Sequence, residues 1–242
     1  MDSGTVLYYS MYGVGFVITL IFNMIFSDRF GFTKKRTAEY TSLIFVSGIL
    51  GAMLMAKIKD AMITAINGAP EEKSSVCLFG CVVFMPVIMT VFYKLMGEDI
   101  DKGTDLLAPG TFLILAFSKI GCACDGCCYG KPWSWGIYNE TAGCTVFPVQ
   151  IFESVCTFAV FAVIIIYFFS SKHFVKGIMY PLGCMLYTPC RFVWEFFRDY
   201  SLLKTEGNFA FSMTLWQLFC IGVFAVCTVW LSLKLAKNKN LP

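Results

Sequence analysis

Seven apolar runs, at 6–26, 39–56, 75–96, 106–121, 150–170, 177–197 and 213–235, govern what this chain of 242 residues can fold into. A helix that crosses a bilayer needs about 20 mostly apolar residues. Lipid admits only segments whose backbone polar groups are satisfied internally, which selects helices. The runs therefore predict an all-α polytopic membrane protein with seven transmembrane helices. The fourth run is the shortest, and it ends in a Gly/Cys-rich stretch where a backbone break would need cover from protein or water. The chain is 57% hydrophobic and 14% charged, against about 25% charged in soluble domains. It begins Met-Asp-Ser-Gly, without a basic segment before the first run. That run is read as a retained span rather than a cleaved signal.

Lysine and arginine placement predicts orientation. One set of run ends carries Arg29, Lys34, Lys35, Arg36, Lys94, Lys102, Lys172, Lys176, Lys234, Lys237 and Lys239. The other carries Lys57, Lys59, Lys73, Lys131, Arg198 and Lys204. The richer set is expected on the cytoplasmic side, so the N-terminus faces out and the C-terminus faces in. The segments 57–74, 122–149 and 198–212 then form outer loops. No repeat, low-complexity tract or linker divides the chain, and residues 1–242 are read as one membrane domain. A net charge of +3 without any basic run interleaved with aromatics excludes nucleic acid as a partner.

Tyr187, Arg191, Glu195 and Arg198 are spaced four, four and three apart, so they are expected on one helix face. A charge in a span costs at least about 2.5–3.5 kcal/mol on insertion scales and normally faces protein or water. Arg191 with Glu195 is either a structural ion pair or part of an anion clamp for a lipid headgroup. A guanidinium suits the latter because it stays charged and binds phosphate through a rigid fork. Lys119 is a second cation in an apolar run. Gln150 and Glu153 share a face at the start of the fifth run, where they either cap that helix or line the same polar site. The single histidine, His173, is expected to be solvated in a cytoplasmic loop, which leaves no histidine on the outer side.

Seven of the twelve cysteines (Cys77, Cys81, Cys156, Cys184, Cys190, Cys220 and Cys227) lie in apolar stretches and read as small buried hydrophobes. Cys122, Cys124, Cys127 and Cys128 form C-x-C-x2-C-C, with Cys144 further on. Structural zinc sites favour separated C-x2-C pairs, and only Cys124 to Cys127 supplies one clearly. No metal or other cofactor is expected. Disulfides within the loop or to Cys144, a reactive thiol and inert packing all remain open, and the loop is expected to be structural. Gly121, Gly126 and Gly130 in the same stretch permit tight turns and close approach.

Together these segments resemble the prolipoprotein diacylglyceryl transferase family. Tyr8-Tyr-Ser-Met-Tyr12-Gly-Val-Gly15-Phe16 is similar to the family's Tyr-Gly-x-x-Tyr-x-x-Gly-Phe. Asp105-Leu-Leu-Ala-Pro109, followed by Lys119-Ile-Gly121 and by Gly126 and Gly130, resembles its Asp-x-x-Ala-Pro segment and glycine-rich signature. Pro148-Val-Gln150-Ile-Phe-Glu153 resembles its Pro-x-Gln-x-Tyr-Glu, and Tyr187 to Arg198 its Tyr-Gly-x-x-Arg-x-x-x-Glu-x-x-Arg. The resemblance implies transfer of the diacylglyceryl group of phosphatidylglycerol to the lipobox cysteine of a prolipoprotein signal peptide. The reaction would take place at the outer side of the bacterial cytoplasmic membrane, and a thioether would form as glycerol phosphate leaves. It implies catalytic roles for Arg191, Lys119, Tyr187 and Glu195. It implies substrate contacts from Tyr8, Gly121, Gly126, Gly130, Gln150, Glu153 and Arg198. Lys119 stands at the family's arginine position, Cys122 and Cys127 stand at its asparagine and glutamate, and Phe79-Gly80 stands where its histidine is expected. A relative with another lipid or acceptor, or a membrane thiol–disulfide protein, are the alternatives.

Overall fold

In the computed structural model of the protein, residues 3–67, 77–170, 174–200 and 213–239 are described. His173 lies outside the described residues. Each apolar run lies on a helix. In chain order these are α1 (Ser3–Ile25), a short α2 (Ser27–Phe30), α3 (Lys34–Asn67), α4 (Phe79–Leu95) and α5 (Ile100–Asp125). A hairpin of β1 (Pro132–Asn139) and β2 (Cys144–Val146) follows, then α6 (Val149–Ser170), α7 (Met179–Glu195) and α8 (Leu215–Lys239). Five helices, α1, α3, α5, α6 and α8, are long and apolar enough to cross a membrane. Helix α4 is apolar but has 17 residues, and α7, also of 17 residues, carries Arg191 and Glu195. The protein is a multi-pass membrane protein. Ile21, Ile25, Val155, Ile166, Val226 and Leu233 are all more than half exposed, an apolar outer surface of the kind that faces lipid.

Helix α5 forms the core. Leu106, Leu107, Ala108, Phe112 and Ala116 are fully buried, as befits a helix apolar on every side. It packs against α1, α3, α4, α6 and α7. The short fourth run is corrected here, because the helix extends at both ends into polar sequence. Asp99 accepts from the Asp101 amide as N-cap, and Gly126, at φ 72°, ends the helix in the left-handed conformation. No break occurs before Gly126. Near its other end, Asp105 accepts from the amides of Gly177 at 2.8 Å and Met179 at 3.1 Å. A buried carboxylate thus satisfies the free N–H groups where α7 begins.

Two further expectations change. The segment 57–74 is not wholly a loop, since α3 continues to Asn67. The chain is not all-α, because part of 122–149 forms the antiparallel hairpin, with Asn139 opposite Cys144 and Tyr138 opposite Thr145. Its aromatic and apolar residues Trp135, Ile137 and Tyr138 are exposed. The Phe79-Gly80 pair is a packing element. A Cβ on Gly80 would lie 2.2 Å from the Gly51 carbonyl oxygen, so α3 and α4 touch backbone to backbone there.

The helix ends sort into two sets. Arg36 pairs with Glu98 and Lys234 with Asp101 at one end. The hairpin and the starts of α6 and α8 lie at the other, the hairpin end. Between α4 and α8 runs an apolar groove of about 780 Å³. From Leu215 to Trp230 it follows α8 for about 22 Å.

Candidate active site

The polar residues singled out from the sequence converge at the hairpin end. Glu153, in the first turns of α6, is the hub. Its Oε1 lies 3.1 Å from Nζ of Lys119 on α5 and 3.3 Å from Nε of Arg191 on α7, and its Oε2 pairs with Nη2 of Arg198. The Tyr187 hydroxyl donates to the same Oε1 at 3.4 Å. Glu153 therefore does not serve as a helix cap. Arg191 also pairs with Glu195 one turn on, and Arg198 Nε lies 3.4 Å from Glu195 Oε2. Lys119, Arg191 and Arg198 are each 7% exposed, Glu153 1% and Glu195 3%.

These charges are costly to bury singly, but paired and hydrogen-bonded they are tolerated. Three cations face two carboxylates, so one positive charge is left over. The Nε–H of Arg198 makes no hydrogen bond among the described residues. A buried donor whose hydrogen bond is left unmade, beside an excess positive charge, suits an anion.

The four residues of the sixth run do not share a helix face as expected. Helix α7 ends at Glu195, and Phe196 and Phe197 turn the chain. Arg198 reaches the cluster through a bridge to Gly130. Lys131 donates to the Phe197 carbonyl at 2.8 Å and Gly130 to the Phe147 carbonyl at 3.1 Å. A Cβ on Gly130 would lie 2.5 Å from the Phe147 oxygen and 2.8 Å from the Phe197 oxygen. Only glycine fits between those two backbones. Gly121 is not a turn residue. It lies in α5 and lets α1 approach, since a Cβ there would lie 3.0 Å from the Tyr8 carbonyl oxygen.

The cysteines separate. The Sγ atoms of buried Cys122, half-buried Cys127 and exposed Cys128 lie within 4.8 Å of one another, whereas Cys124 is not in this group and Cys144 lies in β2. The C-x2-C unit read from the sequence is not the one that assembles. Cys122 and Cys124 point from different sides of α5, and the chain reversal at Gly126 brings Cys127 and Cys128 back to Cys122. All three are free thiols. Hydrogen bonds with Cys122 and Cys127 hold the Cys128 thiol well below its ordinary range. The charges of Arg198 and Lys119 assist this. Two bonds join the thiols to the charged cluster. Gln150 Nε2 donates to the Cys127 carbonyl at 2.7 Å, and Arg198 Nη1 to the Cys128 carbonyl at 3.5 Å. The Tyr8 hydroxyl lies 3.1 Å from that of Tyr12.

The profile of the prolipoprotein diacylglyceryl transferase family matches residues 4–233. The chain belongs to that family. It is similar to a phosphatidylglycerol–prolipoprotein diacylglyceryl transferase of Clostridium tetani (strain Massachusetts / E88), at 25% identity over 215 residues, 82% of this chain and 85% of that protein. It is also similar to phosphatidylglycerol–prolipoprotein diacylglyceryl transferase 2 of Clostridium perfringens (strain 13 / Type A), at 26% over 199 residues, 78% of this chain and 77% of that one. The segments that resembled the diacylglyceryl transferase motifs lie on or directly beside α1, α5, α6 and α7; the last three of these helices, with Arg198 just beyond α7, supply the charged cluster.

Sequence reasoning missed Tyr200, Thr214 and Gln217. Tyr200 donates to Glu195 Oε1, and so does Thr214 Oγ1, at 3.1 Å. Thr214 and Gln217 form a reciprocal capping box at the start of α8. The Thr214 amide donates to Gln217 Oε1 at 3.0 Å and the Gln217 amide to Thr214 Oγ1 at 3.3 Å. The Thr-x-x-Gln pattern before an apolar run was legible; its tie to Glu195 was not.

Proposed function

We propose that the protein transfers the diacylglyceryl group of phosphatidylglycerol to the lipobox cysteine of a prolipoprotein signal peptide. In this reading the chain is one membrane domain with seven spans in the cytoplasmic membrane. Its N-terminus faces out, its C-terminus faces in, and the hairpin end lies outside. The observation that carries the reading is the buried cluster with one excess positive charge and an Arg198 Nε–H that makes no hydrogen bond among the described residues. Arg191 and Arg198 take the lipid phosphate, and Lys119 adds a third cation beside it. Tyr187 and Glu195 hold the rotamer of Arg191. The acyl chains lie in the apolar groove along α8, whose Leu215 end sits beside the Thr214–Glu195 bond.

In the reaction the acceptor sulfur attacks the glyceryl carbon that carries the phosphate ester. The carbon–oxygen bond breaks, and its electron pair passes to the phosphate oxygen, where charge develops. Fixed donors aimed at developing charge are the largest common source of rate enhancement. A thioether forms, glycerol phosphate leaves and the thiol proton goes to solvent.

Incubating purified protein with phosphatidylglycerol and a lipobox peptide, with mass detection of the thioether, tests the proposal. The expected result is a peptide heavier by one diacylglyceryl group. An unmodified peptide, with protein that remains folded, would overturn it in favour of another lipid or acceptor.

A further inference from the structure

The proposed reaction needs a thiolate, and the charged cluster offers no free base to make one. Glu153 already holds three cations. Glu195 holds two arginines, a tyrosine and a threonine. A carboxylate so neutralised is a poor proton acceptor. Lys119 is already paired with Glu153.

Beside this cluster stand three converging thiols. Cys122 projects from the last turn of α5, and Cys127 and Cys128 follow the left-handed Gly126. Vicinal side chains on an extended backbone point to opposite sides. Cys128 is instead in the left-handed region, at φ 57°, a conformation unfavourable for a non-glycine residue. It lets both vicinal thiols face Cys122. The loop is braced from outside by Gln150 on the Cys127 carbonyl and Arg198 on the Cys128 carbonyl.

We propose that Cys122, Cys127 and Cys128 form a three-thiolate zinc site whose open fourth position takes the acceptor cysteine thiol. This deepens the transferase reading and rests on it. The distances fit. Sulfurs bound to one zinc at about 2.3 Å are about 3.8 Å apart in a tetrahedral arrangement, a small contraction from separations within 4.8 Å. Soft thiolates select zinc over hard cations. Among the described residues no histidine, carboxylate or fourth cysteine completes the set. Three protein ligands with one open position is the arrangement of zinc sites that do chemistry rather than hold structure. Zinc with three thiolates carries one negative charge, and the Lys119 and Arg198 cations lie beside it to balance that charge.

The step balances. The acceptor thiol displaces a water from the fourth position and its proton goes to solvent, because a coordinated thiol ionises outright. The bound sulfur attacks the glyceryl carbon, and the carbon–oxygen bond breaks with its electron pair going to the phosphate. The thioether, a weaker ligand, then leaves. The zinc does not change oxidation state.

The test separates binding from transfer. Purified full-length protein, reduced and loaded with zinc alone, should retain about one ion per chain. Cys122→Ser, Cys127→Ser and Cys128→Ser should each lower affinity about tenfold or more, while Cys124→Ser and Cys144→Ser should not. With cobalt in place of zinc, sulfur-to-metal charge-transfer bands and tetrahedral ligand-field bands should appear, without lipid. They should shift on adding a lipobox peptide and stay unchanged with its Cys→Ser counterpart. No stoichiometric zinc in folded wild-type protein, equal loss in Cys124→Ser, or identical cobalt spectra with the two peptides would each overturn the proposal. Because no lipid enters this measurement, failed diacylglyceryl transfer by metal-loaded protein would count against the transferase reading alone.

Discussion

Arg191 lies 3.3 Å through its Nε from Oε1 of Glu153, a residue on a different helix, while its Nη1 holds Glu195 on its own. The Arg191–Glu195 pair is therefore not self-contained. It is one arm of a lattice that joins α5, α6 and α7 at the hairpin end, and removing different members should have different consequences.

Arg191→Lys keeps the charge but loses the fork that spans Glu153 and Glu195 while facing phosphate. Transfer activity should fall about 10²–10³-fold with thermal stability in detergent little changed. Arg191→Gln should lose at least as much. If the Gln variant unfolded more readily while its folded fraction kept normal turnover, Arg191 would be structural.

Glu153→Gln should behave otherwise. Three cations would lose their shared counter-charge at a site where Glu153 is 1% exposed. Stripping one partner from a buried ion cluster typically destabilises by about 3–5 kcal/mol. Yield and unfolding temperature should drop together, and more than for Glu195→Gln, where Glu153 still pairs with all three cations. Equal effects would argue against the hub.

Gly130→Ala tests how Arg198 is placed. The added methyl would meet two carbonyl oxygens at 2.5 and 2.8 Å, and neither backbone can yield without moving the bridge that positions Arg198. Expected are a strong loss of transfer and weaker binding of anionic lipid. Normal activity in Gly130→Ala would mean that Arg198 is not placed by this bridge.

Asp105→Asn addresses the opposite end. It weakens the acceptor for the Gly177 and Met179 amides and should cost about 1 kcal/mol. KM for phosphatidylglycerol should hold, since Asp105 lies at the far end of α5 from Lys119. A selective change in KM without loss of stability would contradict a purely capping role.

The charge asymmetry predicts a C-terminus that faces in. A thiol placed by Lys237→Cys should resist an impermeant maleimide added to intact cells and react after the membrane is opened. Extra labelling from outside, above that of the parent protein, would invert the orientation.

The helices were legible because their determinant is local. A run such as 150–170 must lie in lipid or in a core wherever its neighbours go, and α6 starts and ends within a residue of it. The extension of α5 was hidden, since its ends are polar and become helical only through the Asp99 cap and protein burial. The hairpin was hidden because its pairing partners were set by a turn and a bulge, not by an alternating pattern.

The sequence by itself determined that this chain lives in a membrane, which helices it forms and which charges it carries into them, because transfer free energy and helical period are properties of the chain segment. It could also place Tyr187, Arg191 and Glu195 on one face, since they share α7. Only the tertiary structure decided that Glu153 is the hub rather than a cap, that Arg198 arrives through a bridge to Gly130, and that Cys122 rather than Cys124 joins Cys127 and Cys128. Each of these depends on backbone meeting backbone, between helices or across the chain reversal at Gly126, and that contact is fixed by packing and close approach rather than by spacing along the chain.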